Sequence, residues 1–208
     1  MKFCAAVCGV VAVASAANAG VITSYNLNGA PGDQAFTAGS AAANTTALNL
    51  TRGAGLTAST GGNSFSATGW TQQATDFFSF GFTVNSGFSA NLDKLYIGTR
   101  SSNTGPGTMG LFYSGDGFAT ALTTFNQAPG SNFVNSIIDL SALTGLTGTV
   151  EFRIRQIGNT AANGGSTSSS GAFRVTAYFE NGAFNRDLQL TGEVVPAPSA
   201  LALLGLGG

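Results

Sequence analysis

The chain of 208 residues is long enough for one domain with a proper core and short for two. Only 8% of its residues are charged and the formal net charge is −1, while the basic residues beyond the first few positions (Arg52, Lys94, Arg100, Arg153, Arg155, Arg174 and Arg186) stand singly, which excludes the electrostatic footprint of a nucleic-acid or anionic-lipid binder. Sixteen Phe, four Tyr and one Trp are too many apolar anchors for a disordered chain, so the polypeptide is expected to fold.

The chain opens on "MKFCAAVCGVVAVASAANAG". Lys2 is followed by an uncharged apolar stretch, and Ala17 and Ala19 then take the spacing that a signal peptidase accepts. Residues 1–19 are read as a signal-peptide helix, with cleavage leaving Gly20 first. Cys4 and Cys8 both fall inside this leader, so the mature chain is expected to carry no thiol, disulfide or thiolate metal site.

From Val21 onward apolar residues recur at period two in short runs broken by Gly, Asn, Asp, Pro or Ser, which is the pattern of strands and turns. In chain order the strand candidates are "VITSYNLN", "TALNLT", "SFSATGW", "DFFSFGFTV", "LDKLYIGTR", "TMGLFYS", "ALTTFN", "FVNSIIDL", "TVEFRIRQI", "AFRVTAYFE" and "LQLTGEV". Many short strands predict an all-β fold, an antiparallel two-sheet β-sandwich of jelly-roll type over residues 20–195. Alternation turns Phe78, Phe80, Phe82, Leu95, Ile97, Phe152 and Ile154 toward the core. Glu151, Arg153 and Arg155 share the opposite face of their strand, a charged stripe read as solvated. Asp116-Gly117 is read as a tight turn with positive φ. The polar run "GNTAANGGSTSSSG" from Gly158 to Gly171 is read as a flexible excursion.

The order "FFSFGFTV", "LDKLYIGTRSSNTGPGTMGLFYSGDGFAT", "IDLSALTGLTGTVEFRIRQIG", "FRVTAYFENGAF" and "VVPAPSALALLGLGG" resembles the exported PEP-CTERM proteins of Gram-negative bacteria. That resemblance implies a C-terminal sorting signal with a Pro-Glu-Pro step, an apolar segment and an arginine cluster, processed by an exosortase. Val195, Pro196, Ala197 and Pro198 match the step with Ala for Glu, and residues 196–208 are read as a partial sorting or anchor segment. The run Ala200 to Gly208 would cover about 14 Å as a helix, short of the ~20 apolar residues a bilayer span needs. The resemblance thus implies a protein of the cell envelope, outer surface or extracellular matrix. Its implied partners are signal peptidase, an exosortase and envelope polysaccharide, with only transient membrane contact through the terminal segments.

Chemistry finds few titratable groups to work with. Histidine is absent, which removes the commonest general base and zinc ligand together. The acids are scattered, with only Glu180 and Asp187 near each other across a hairpin, so no catalytic residue, cofactor or metal site is assigned. A structural calcium on Asp33, Asp76 or Asp187 lacks the closely spaced acids of a typical loop site. The leading expectation is a non-enzymatic envelope or matrix protein. The alternative is a carbohydrate-binding β-sandwich module, for which Trp70, Tyr96, Tyr113 and Tyr178 are the side chains suited to a stacking platform. A glycan-active enzyme ranks last, for want of a base.

Overall fold

The computed structural model describes residues 19–197. The predicted leader helix, most of its cleavage motif, and Pro198 with the apolar run beyond it lie outside these residues. The first half contains β1 (Gly20–Tyr25), β2 (Pro31–Gly32), β3 (Ser40–Ala41), β4 (Thr45–Ala47), β5 (Thr51–Arg52), β6 (Thr57–Ala58), β7 (Ser64–Thr68) and β8 (Phe78–Val84). It is followed by β9 (Phe88–Ser101), β10 (Thr108–Tyr113), β11 (Ala121–Asn126), β12 (Val134–Asp139), β13 (Gly148–Gln156), β14 (Phe173–Thr176), β15 (Tyr178–Glu180), β16 (Ala183–Arg186) and β17 (Leu188–Pro196).

These strands make a two-sheet β-sandwich, the predicted class. The larger sheet runs β2-β7-β14-β9-β17-β1-β3, with β12 also on β9 and β6 on β7, and the smaller runs β11-β10-β13-β8-β4 with β5 on β8. One aromatic-rich core fills the space between them. Phe78, Phe80, Phe82, Leu95, Ile97, Phe152 and Ile154 are each at most 1% exposed, as their alternation requires. Phe78 of the smaller sheet meets Phe65 edge-on at 5.2 Å and stacks on Phe173 at 5.9 Å, both from the larger sheet.

Three expectations are corrected. Residues 158–171 are not a loose excursion, because their amides are tied to the preceding loop: Ala162 N–H donates to Gly105 O at 2.9 Å, Asn163 N–H to Asn103 O at 3.0 Å and Ser168 N–H to Thr104 O at 2.9 Å. Two polar loops satisfy each other's backbone there, which composition alone does not reveal. The stripe on β13 is covered rather than solvated. Arg153 keeps the expected pair with Glu151 at 2.8 Å, but its guanidinium lies between the rings of Phe77 and Phe118, at 4.1 and 3.8 Å. Finally, the single predicted strand "AFRVTAYFE" breaks at Ala177 into β14 and β15.

The break follows from how β9 is bordered. β12 takes one edge of β9, while β14 and β17 lie end to end along the other: Thr176 sits opposite Gly98, and Gln189 opposite Tyr96. Between them residues 177–187 leave the sheet as the β15–β16 hairpin and return to the same edge. Gly98 is needed at the exit because a Cβ there would overlap the Ala177 carbonyl oxygen. The Asp116-Gly117 turn is as read. Gly117 has φ 70°, and the Asp116 carboxylate accepts the N–H groups of Ala119 and Thr120 at 3.2 and 3.0 Å.

Candidate functional site

The hairpin that leaves the edge of β9 builds the most developed surface site of the large sheet. Asn181 and Gly182 both have positive φ, 53° and 80°, the conformation that an Asn-Gly turn favours. Two devices hold the hairpin down on the sheet. The Asn135 side-chain amide donates to Phe179 O and its Oδ1 accepts the Phe179 N–H at 3.0 Å. Phe179 also stacks on Phe133 at 4.1 Å, and Phe184 meets both rings edge-on, at 5.7 and 5.0 Å.

The hairpin places its base, the Tyr178–Arg186 pair, over Tyr96. Tyr96 reaches the outer face only because β9 is irregular. Ala90 and Leu92 point inward, as do Leu95 and Ile97, so the strand changes parity between Leu92 and Leu95. The register against β17 shifts at the same place, and Thr191 Oγ1 meets the Lys94 N–H there at 3.2 Å. Such an irregularity re-aims the side chains beyond it.

Tyr96 and Tyr178 are half-buried neighbours with ring centroids 6.3 Å apart at 72°. The Arg186 guanidinium lies 3.9 Å over the Tyr96 ring. Together with Ile137, which is 53% exposed, and with Glu180 and Asn185, these residues line a hollow of about 320 Å³. A second hollow of about 320 Å³ shares Tyr96 and Arg186 and continues over Gln189 and Thr191 to Asp93, Ala19 and Gly20. The two hollows adjoin at Tyr96 and Arg186 and are together called the groove. Asp93 holds the Lys94 ammonium at 2.9 Å beside it, and that hydrogen bond raises the Lys94 pKa. Asp187, at the hairpin's return, has its pKa raised by burial.

The other two sequence candidates lie elsewhere. Trp70 is 2% exposed, donates its Nε1–H to Ala67 O at 3.0 Å and packs edge-on against Phe78 and Phe173 at 5.2 and 5.5 Å, so it is a core residue and no part of an exposed platform. Tyr113 stacks on Phe152 at 5.5 Å at the margin of the core, and burial raises its pKa. The acids considered for an ion do not converge: among the described residues no group of three or more His, Cys, Asp or Glu side chains comes together. Of the terminal motifs, Gly20 opens β1 opposite Gly192, Val195 and Pro196 close β17 opposite Ser89 and Phe88, and the Ala197 N–H donates to Gly87 O at 2.9 Å. Ile137, Asn185 and Arg186 are groove residues that sequence reasoning missed, and Glu180 was named there only as an acid near Asp187 across a hairpin. The one available signal was Asn181-Gly182, which marks the hairpin without saying where it docks.

No family model matches the chain, and no curated protein does. Among solved structures, a family 29 carbohydrate-binding module is 13% identical, with 92% of this chain and all of that one covered at a TM-score of 0.42. A variant of the module CBM29-2 complexed with mannohexaose is 14% identical, covering 90% of this chain and 98% of that one at a TM-score of 0.42. Another variant, complexed with cellulohexaose, is 13% identical over 82% of this chain and 89% of that one, with a TM-score of 0.40. These likenesses are too distant to carry a ligand or a residue role to this chain.

Proposed function

We propose that this chain is an exported, non-catalytic β-sandwich that binds carbohydrate in the groove centred on Tyr96 and Tyr178. The observation that carries the reading is their juxtaposition: two tyrosines 6.3 Å apart on an outer sheet face, flanked by Arg186, Asn185 and Glu180. Aromatic rings receive the apolar faces of sugar rings, while a guanidinium, an amide and a carboxylate offer donors and acceptors to hydroxyls. A groove crossing several strands, at ~4.8 Å between neighbours, suits a length of polysaccharide better than a compact metabolite. Arg186 covers one face of Tyr96, so a sugar stacking there displaces the guanidinium and gains its donors at the groove's rim.

Export rests on the terminal segments of the sequence. Cleavage between Ala19 and Gly20 would leave a new α-amino group at one end of the groove, since both residues line it. A sorting signal from Val195 to Pro198 and beyond would hold the module at the envelope until an exosortase acts, with envelope or matrix polysaccharide as its ligand.

The test is a glycan array followed by titration of the secreted chain. Reproducible binding to one polysaccharide class is expected, weakened about fivefold or more by Tyr96→Ala and by Tyr178→Ala, because a lost aromatic contact is worth on the order of 1 kcal/mol. Binding unchanged in both variants, or no binding to any polysaccharide class, would sink the reading and leave a matrix protein without a ligand.

A further inference from the structure

The outer face of the larger sheet carries a straight row of side chains that runs on from the groove. Register aligns it: Ile137 of β12 stands opposite Tyr96 of β9, Tyr96 opposite Gln189 of β17, Gln189 opposite Ser24 of β1, and Ser24 opposite Ser40 of β3. Residues directly opposite each other in a strand pair share a face. Their chain neighbours Ile138, Leu95, Ile97, Leu188, Leu190 and Tyr25 are buried in the core, so the row itself turns outward. It crosses β12, β9, β17, β1 and β3, and with neighbouring strands ~4.8 Å apart it is roughly 19 Å long.

No side chain of the row is charged. Gln189 and Ser24 are half-buried and Ser40 is exposed. Among the described residues, neither the Gln189 side-chain amide nor either serine hydroxyl has a hydrogen-bond partner, whereas Thr23 Oγ1 donates to Ser40 O at 2.9 Å and holds β3 against β1. The charges beside the row offset one another: Arg186 and Glu180 line the same hollow, and Asp93 holds the Lys94 ammonium at 2.9 Å. Both ends fall on sheet edges, since β12 pairs with β9 and β3 with β1, so a chain lying along the row continues past either end.

We propose, resting on the carbohydrate reading of the groove, that its ligand is an extended, uncharged polysaccharide bound through an internal stretch along this row, with Gln189, Ser24 and Ser40 as recognition residues beyond the tyrosines. A side-chain amide and two hydroxyls each donate and accept, which matches successive sugar hydroxyls at the spacing of the strands. A chain of acidic sugars would bring its carboxylates over Gln189, Ser24 and Ser40 with no cation among them to replace the lost water. The straightness of the row selects an extended chain over a coiled one. A sugar ring at Tyr96 sends the next rings over Gln189 toward Ser24, the direction in which the second hollow leaves the tyrosine.

The test uses the full secreted chain, isotopically labelled and titrated with cellobiose and cellohexaose, mannobiose and mannohexaose, laminaribiose and laminarihexaose, and polygalacturonate. In at least one neutral series the hexasaccharide should bind about tenfold or more tighter than the disaccharide, and it alone should shift the amides of Ser24 and Ser40. Ser24→Lys, which sets a long side chain across the row from an outward position, should abolish that advantage, and Gln189→Ala should cut it about threefold or more. Equal affinity for both lengths in every series, or an advantage that survives both variants, would overturn the proposal. So would tighter binding of polygalacturonate than of any neutral chain. Binding that Tyr96→Ala weakens but that shows no length dependence would overturn the row while leaving the groove standing; no binding by any of these sugars would overturn both.

Discussion

The hydroxyl of Tyr25, on β1 of the larger sheet, accepts the N–H of Gly81, on β8 of the smaller sheet, at 2.9 Å. The single proton of the same hydroxyl is shared between the carbonyls of Gly81 and Leu48, each 2.9 Å from its oxygen. One buried side chain therefore joins the two sheets and satisfies the backbone where β8 departs from regular geometry: Gly81 has φ 152°, and a Cβ there would overlap the Val150 carbonyl oxygen. Burial pushes the Tyr25 pKa up to about 12, against a backbone hydrogen bond from Gly81 that lowers it.

Tyr25→Phe is expected to destabilise the domain by about 1–3 kcal/mol, the cost of leaving buried backbone groups unpaired, with an unchanged denaturant slope. Urea titration checks it. The pH dependence has a definite sign: a folded pKa above the unfolded value of about 10 means that the hydroxyl's contribution is complete below pH 10 and is lost as pH rises from about 10 toward 12. The Phe variant should lose less stability than the parent across that alkaline window. Equal slopes in both proteins would show that Tyr25 does not carry it.

Trp70→Ala should cost about 3–5 kcal/mol, as expected for a large aromatic removed from a packed core. Tyr96→Ala should change stability far less while weakening the groove. Calorimetry of the two variants separates the core aromatic from the half-buried tyrosine of the groove; a small change in midpoint for Trp70→Ala would contradict its place between Phe78 and Phe173.

Asn135→Ala removes the amide that clasps Phe179. The expected result is faster hydrogen exchange across residues 178–186 and weaker glycan binding, with little change in exchange at core strands such as β8 and β13. Uniformly faster exchange throughout the domain would show instead that the hairpin and the sandwich unfold as one unit.

Asp187 titrates in the opposite sense from a paired carboxylate. Burial raises its folded pKa, so ionisation opposes folding above that pKa, and the penalty disappears as pH falls below the unfolded value. Asp187→Asn should therefore raise the melting temperature at neutral pH and lose its advantage in acid. A lower midpoint at pH 7 would indicate that the carboxylate makes a favourable interaction in the folded protein.

Local chemistry was sufficient for most of the longer strands, the core and most turns, but not for the short edge strands β2, β3 and β6. The alternation of Phe78, Phe80 and Phe82, and of Phe152 and Ile154, is a property of neighbouring residues, because side chains two apart share a face wherever the strand lies. Asp116-Gly117 is likewise a local matter of φ preference. The candidate site was legible only in part. Tyr96 and Tyr178 could be named as amphipathic aromatics, but so could Trp70 and Tyr113, and composition does not distinguish a ring that seals the core from one left at its surface. Tertiary pairing made that distinction. β14 and β17 share one edge of β9, which forces residues 177–187 out as a hairpin, and the register shift opposite Thr191 turns Tyr96 outward beneath it. Both depend on contacts between residues some 80 to 100 positions apart along the chain, such as Gly98 with Thr176 and Lys94 with Thr191. A one-residue change of register reverses every side chain beyond it, and the partner strand rather than the local sequence sets that register.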